Sequence, residues 1–265
     1  MLDVAAVTLA SASLSFIVAL CFGEFYRADM FPYAIGYACI FFVSTLCCYK
    51  AYEIGPVTGV ALFSNAGLVI TVFYGVLIFD EPFGKLGITG VACMCIALVL
   101  LSFPDAFKAT QSTAKKRYNK LWILLGLLIM LANSTGALLL KSRQTKAGGM
   151  DAFAFMSLCY VCIFLVSAMT YVGVARKQKQ IGRDFKMLKT QAGALMLQST
   201  GNAGTNMLAT YLSTRVNSAV LYPVQLGGGF VLTVLFGFFL FKEKVTPYKV
   251  LGLILGVSAI VLLNI

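Results

Sequence analysis

Histidine is absent from this 265-residue chain, tryptophan occurs once, and charged residues make up only 12% of it. Without imidazole the chain lacks the side chain most used for proton transfer near neutral pH and for binding transition metals. Acidic residues are scarce as well. The ten carboxylates (Asp3, Glu24, Asp29, Glu53, Asp80, Glu81, Asp105, Asp151, Asp184 and Glu243) all lie between apolar stretches or at their ends. An ion-coupled carrier ordinarily places an acid at membrane depth, so this distribution argues for facilitated diffusion or exchange. No nucleophile is paired with a base, which argues against an enzyme reading; neither a metal nor a cofactor is expected. No Lys or Arg precedes the first apolar stretch, so it reads as a true span rather than a cleavable signal peptide.

The chain is rich in apolar side chains: 60% of its residues are hydrophobic and mean hydropathy is +0.88. A soluble domain could not hide that much apolar surface, so the lipid bilayer is the expected solvent. Nine apolar segments lie at roughly 4–23, 32–52, 57–79, 86–103, 121–140, 152–175, 190–212, 217–241 and 247–265. Each is near the ~20 residues that cross a ~30 Å hydrocarbon core as a helix. The eight cysteines (21, 39, 47, 48, 93, 95, 159 and 162) fall inside these segments. Cys159 and Cys162 have metal-ligand spacing, but no second pair accompanies them, and the thiols read as small hydrophobes.

The formal charge of +11 does not indicate nucleic-acid binding, because the basic residues are dispersed among the short connections. They report orientation instead. On the side of the N-terminus lie 15: Lys50, Lys108, Lys115, Lys116, Arg117, Lys120, Arg176, Lys177, Lys179, Arg183, Lys186, Lys189, Lys242, Lys244 and Lys249. The other side has 6: Arg27, Lys85, Lys141, Arg143, Lys146 and Arg215. The count puts the N-terminus in the cytoplasm and the C-terminus outside.

Residues 55–103 and 217–265 align without a gap at an offset of 162. Gly67, Val69, Thr71, Val72, Gly75, Phe79 and Glu81 recur as Gly229, Val231, Thr233, Val234, Gly237, Phe241 and Glu243. Gly90, Ala97, Val99, Leu100 and Leu101 recur as Gly252, Ala259, Val261, Leu262 and Leu263, and Tyr49 pairs with Tyr211. An odd number of crossings separates the copies, so they have opposite orientations. A duplicated, inverted bundle is the usual plan of a secondary transporter. The expected domains are a first repeat of four helices (1–103), a basic connecting loop (104–120) and a second repeat of five (121–265).

Uncharged polar residues at depth mark the candidate site. Gln198, Asn202 and Asn206 are spaced by four and form one stripe of a helix, among Ser199, Thr200 and Thr205. Lipid penalises unpaired amides, so the stripe lines a wet cavity or glues helices together. Asn133, Ser134 and Thr135 lie in the middle of the fifth segment, and Ser64 and Asn65 in the third. Tyr222, Gln225 and Gly229 share a face beside Gly227 and Gly228, a triplet that suits close packing, substrate approach or flexing. Pro56 and Pro223 read as structural, at helix starts. Glu81 and Glu243 read as residues favouring a helix N-terminus. Gly252 and Gly256 have the spacing of a helix contact and make a homodimer possible.

The run LIFDEPFGKLGITGVACMCIALVLL and its echo LFKEKVTPYKVLGLILGVSAIVLL resemble the drug/metabolite transporter superfamily, in particular its EamA-like branch. The resemblance implies an all-α, polytopic membrane bundle of two inverted five-helix units around a cavity that opens alternately to either side. About nine spans are expected here, with the family's first helix missing. The cavity-lining helices correspond to the segments carrying Tyr49, Asn65, Asn133, Gln198, Asn202, Asn206, Tyr222 and Gln225. The family's frame puts the C-terminus in the cytoplasm, opposite to the charge count. The expected substrate is a small polar or amphipathic, amino-acid-like metabolite, carried across a cell membrane, most naturally a prokaryotic inner membrane. An inactive or scaffolding membrane protein is the alternative, and a membrane-embedded enzyme a distant third.

Overall fold

The computed structural model describes residues 2–55, 57–79, 84–112, 120–178, 181–229, 231–232, 235 and 247–263. All regular structure among them is helical. The helices are α1 (Leu2–Cys21), α2 (Met30–Ile54), α3 (Val57–Ile78), α4 (Lys85–Ser112), α5 (Lys120–Lys146), α6 (Ala152–Gln178) and α7 (Ile181–Leu212). A short α8 (Ser218–Tyr222) continues into a π-helical turn (Pro223–Gly228), and α9 covers Pro247–Leu263. Pro56, Glu81 and Glu243 lie outside the described residues, as do Thr233, Val234, Gly237 and Phe241 of the repeat.

Five helices are long and apolar enough to cross a membrane among the described residues: Leu2–Cys21, Met30–Ile54, Val60–Ile78, Lys120–Lys146 and Ala152–Gly173. Lys85–Leu101 and Pro247–Leu262 are shorter apolar helices. Helix α7 falls outside the five because its polar stripe lowers its hydropathy.

Several helices run further than the apolar segments that announce them. Helix α4 covers 104–112 of the expected connecting loop, while 113–119 lie outside the described residues. Helix α7 begins at Ile181, inside the stretch expected as a loop. Helix α5 continues past residue 140 to Lys146, so Lys141 and Arg143 are helical rather than loop residues. Backbone hydrogen bonding persists there until a glycine can turn the chain. Gly148 takes φ +64°, a left-handed conformation that costs glycine little. It lets its N–H reach Thr145 O (3.3 Å) and the Gly149 N–H reach Gln144 O (2.9 Å), the Schellman closure. Helix α1 ends the same way at Gly23, with φ +67°.

The chain forms two compact units, residues 1–43 with 139–215 and residues 44–138 with 216–265. Their boundaries fall inside α2 and α5, and each unit draws helices from both halves of the sequence. In the first unit, Ala12, Ala34, Ala38, Ala154 and Ala203 let α1, α2, α6 and α7 approach around Phe155, Met156, Tyr160 and Ile163. Helices α1 and α6 run antiparallel, the end of α1 meeting the start of α6 through Glu24 and Phe153. Small residues at such contacts suit membrane packing, where dispersion rather than water exclusion draws helices together.

In the second unit Leu68, Val72, Val91, Met94, Leu98 and Ala259 form the main core, and a smaller cluster gathers Ala51, Val60, Trp122 and Ile129. Helices α4 and α9 pack along each other. A β-carbon on Gly252 would lie 2.7 Å from Leu101 and one on Gly256 3.7 Å from the Ala97 methyl. Contacts that rise along α9 while falling along α4 make the pair antiparallel. Gly252 and Gly256 are thus engaged within the chain, the latter also against Val231.

Candidate functional site

The eight positions singled out by the sequence divide between the units, with Gln198, Asn202 and Asn206 in the first and Tyr49, Asn65, Asn133, Tyr222 and Gln225 in the second. Each group is described in its own unit.

In the first unit the four-residue spacing on α7 brings Asn202 and Asn206 together, both half-buried. Asn206 Nδ2 donates to Asn202 Oδ1 and to the Asn202 carbonyl, each at 2.9 Å. It also reaches the Tyr160 hydroxyl of α6 at 3.1 Å, and that hydroxyl donates to the Asn202 carbonyl at 3.1 Å. One amide, one phenol and one backbone carbonyl thus tie α6 to α7 in the middle of the unit. Asn206 Nδ2 has two hydrogens for three acceptors, so the bonds are shared. Asn202 Nδ2 and Asn206 Oδ1 have no partner among the described residues, leaving one neutral donor and one neutral acceptor side by side. Gln198, one turn before Asn202, is exposed and joins no hydrogen bond among the described residues.

Tyr160 carries no polar spacing that marks it in the sequence. Its signal was weak, a phenol between Cys159 and Cys162 in an apolar run, yet a buried tyrosine hydroxyl needs a partner. Nearby, Ser11 donates to the Ser199 carbonyl at 3.1 Å, joining α1 to α7. The eight cysteines are free thiols, and Cys159 is buried in the core beside Tyr160.

In the second unit Asn133 of α5 is a three-way tie. Its Oδ1 accepts the Ser44 hydroxyl of α2 at 2.9 Å, and its Nδ2 donates to the Ser64 carbonyl of α3 at 3.4 Å. The adjacent Ser134 donates to the Gly67 carbonyl at 3.0 Å. A β-carbon at Gly67 would stand 2.8 Å from that hydroxyl, so glycine keeps α3 and α5 close. Asn65 turns back on its own helix and donates to Ala61 O at 2.9 Å. Tyr222 is buried and its hydroxyl donates to the Ala137 carbonyl of α5 at 3.2 Å. Tyr49 is 44% exposed, and Gln225 is half-buried with no side-chain hydrogen bond among the described residues.

Tyr222 and Gln225 flank the start of the π-helical turn, which opens on Pro223. Wider turns of this kind interrupt the regular ladder and recur at functional positions. The glycine triplet divides its roles. Gly227 lies directly against the Met94 side chain of α4, where a β-carbon would overlap the sulfur. Gly228 would meet Ile260 at an ordinary 3.6 Å, and a β-carbon on Gly229 would find open space.

These observations define an all-helical, multi-pass membrane protein whose units are each cross-linked at depth by uncharged polar side chains. No protein-family model and no curated protein matches the sequence. A solved structure described only as "Crystal structure of protein" is similar over 99% of this chain and 88% of its own, with a TM-score of 0.73 and 12% sequence identity. At that identity the likeness is one of fold.

Proposed function

We propose that the chain is a transporter, moving a small polar or amphipathic, amino-acid-like metabolite by alternating access of two inverted repeats. The observation that carries this reading is the antiparallel packing of helices related by the 162-residue offset. Helix α9 repeats the sequence of α4, and the two lie side by side in opposite directions. Oppositely oriented copies supply two states of similar energy, which is what exposure to either side in turn requires. The same logic supports the EamA-like resemblance and about nine spans, while the excess of Lys and Arg on one side, not the packing, is what favours a cytoplasmic N-terminus.

Asn202 and Asn206 offer a neutral donor and acceptor, suited to a solute that brings no uncompensated charge. Gly229 and the π-helical turn give α8 an open, adjustable stretch beside Gln225. No residue in this set acts as nucleophile or base, and the reading is non-enzymatic.

The test is solute flux in proteoliposomes holding the purified chain. At least one member of a panel of labelled amino acids and related metabolites should accumulate. Asn202→Leu and Asn206→Leu should lower that uptake roughly ten-fold if one solute hydrogen bond is lost. No flux for any solute, or unchanged flux in both variants, discards the reading.

A scaffolding role is the second reading. It is favoured by Asn133, whose donor and acceptor ends are both spent on other helices. Intact folding with no flux for any solute would select it.

A further inference from the structure

Among the described residues of the first unit, every buried side-chain polar atom without a hydrogen-bond partner belongs to one of two consecutive residues. They are Nε and Nη2 of Arg143 and both amide atoms of Gln144. Arg143 is 1% exposed and Gln144 0%, although both stand near the end of a spanning helix. An arginine so placed ordinarily extends its guanidinium to interfacial water. Arg143 instead turns inward.

Part of its guanidinium has a structural task. Nη1 donates to the carbonyls of Met150 (3.1 Å) and Asp151 (3.5 Å), holding the loop that leads into α6. The planar group lies over the Phe155 ring, 4.8 Å from its centroid. These contacts use one end and one face. The remaining edge, Nε with Nη2, presents two parallel N–H donors, the fork that receives a carboxylate through two bonds. A buried cation whose edge donates no hydrogen bond is unfavourable, even with a carboxylate within ion-pair range.

The group nearest that edge is itself a carboxylate. Asp29 Oδ2 stands 3.7 Å from Nη2, beyond hydrogen-bond length, while Asp29 Oδ1 lies 3.3 Å from Arg27 Nε. The Asp29 side chain is 47% exposed and that of Arg143 1%, so Asp29 stands at the solvent side of the buried fork. With Arg27 beside it, Asp29 has an alternative partner when it swings away.

We propose that the Nε/Nη2 edge of Arg143 is a carboxylate-binding subsite, guarded by Asp29 and taking the carboxylate of an organic-acid or amino-acid solute. Asp29 competes with the solute for the fork. Only the word solute rests on the transport reading; the subsite itself rests on the geometry of α5 and the α1–α2 connection.

The experiment measures thermal shifts of the purified full chain in detergent. Its panel contains the twenty proteinogenic L-amino acids, acetate, lactate and succinate, the corresponding amides, and inorganic phosphate. At least one carboxylate should raise the Tm, and its amide should not. Arg143→Lys, which keeps the charge and loses the fork, should weaken that Kd roughly ten-fold or more. Asp29→Asn, which removes the competitor, should tighten it. An unchanged Kd in Arg143→Lys overturns the subsite, as do a weakened Kd in Asp29→Asn, equal binding of the amide, a response to phosphate alone, or no response to any member. Should Arg143→Lys not fold, Asp29→Asn decides by the sign of its effect. Binding without flux keeps the subsite and discards transport, whereas flux with an unaltered affinity in Arg143→Lys does the reverse.

Discussion

The carboxylate of Glu24 closes the first turn of α6 at Phe153: its Oε2 accepts the backbone N–H of Phe153 at 2.7 Å and that of Ala154 at 2.8 Å. The backbone N–H of the same residue donates to Ala19 O at 2.9 Å, closing the end of α1. One acid therefore finishes one helix and starts another that is 130 residues away. It satisfies N–H groups that have no partner inside α6 and places negative charge at the positive end of the helix.

Glu24→Ala should destabilise the chain by about 1–2 kcal/mol, the scale of a lost cap strengthened by charge. Glu24→Gln, which keeps an acceptor oxygen, should fall between Ala and the wild type. Thermal unfolding in detergent orders the three, and an unchanged Tm for Glu24→Ala would contradict the capping role.

Tyr160 and Asn206 should couple. Tyr160→Phe removes one hydroxyl and leaves Asn206 Nδ2 with only its contacts to Asn202. A double-mutant cycle with Asn206→Leu should give an interaction of about 0.6–1.7 kcal/mol, the range found for interhelical bonds in membranes. Strict additivity would mean that the α6–α7 tie contributes nothing.

Gly227→Ala should cost about 1–3 kcal/mol, since the new methyl overlaps Met94 and the core must shift. Met94→Ala in the same chain should recover part of that loss by making room. Failure of the second change to rescue the first, judged from the two melting curves, would show that Gly227 is needed for the π-helical turn and not for packing.

Gly252→Leu should lower stability, because α9 would be pushed off Leu101 and Ala97. The molar mass of the purified protein, read by light scattering, should stay the same. A change of mass would assign this glycine to a contact between copies.

The sequence announces the apolar helices well, because a span must be about 20 apolar residues long whatever surrounds it. Ends were harder to place, since hydropathy stops at Leu140 while the hydrogen-bond ladder of α5 runs on to the Gly148 turn. By hydropathy Lys141 and Arg143 are loop charges, and their burial follows only from the helix running on and from tertiary packing. The stripe of Asn202 and Asn206 is visible as a spacing of four along one helix. Its partner Tyr160 is not, being 46 residues away and joined only by tertiary packing. The same holds for Ser44 and Asn133, 89 residues apart. Gly227 illustrates a third limit: the triplet was conspicuous, but only the position of Met94 tells which glycine is sterically required.

Because the unit boundaries cut through α2 and α5, neither half of the polypeptide owns a complete interior. Fragments 1–112 and 120–265 made separately would each leave apolar and polar faces that only the other can cover. Co-expressed, they should reassemble; expressed singly, each should be degraded.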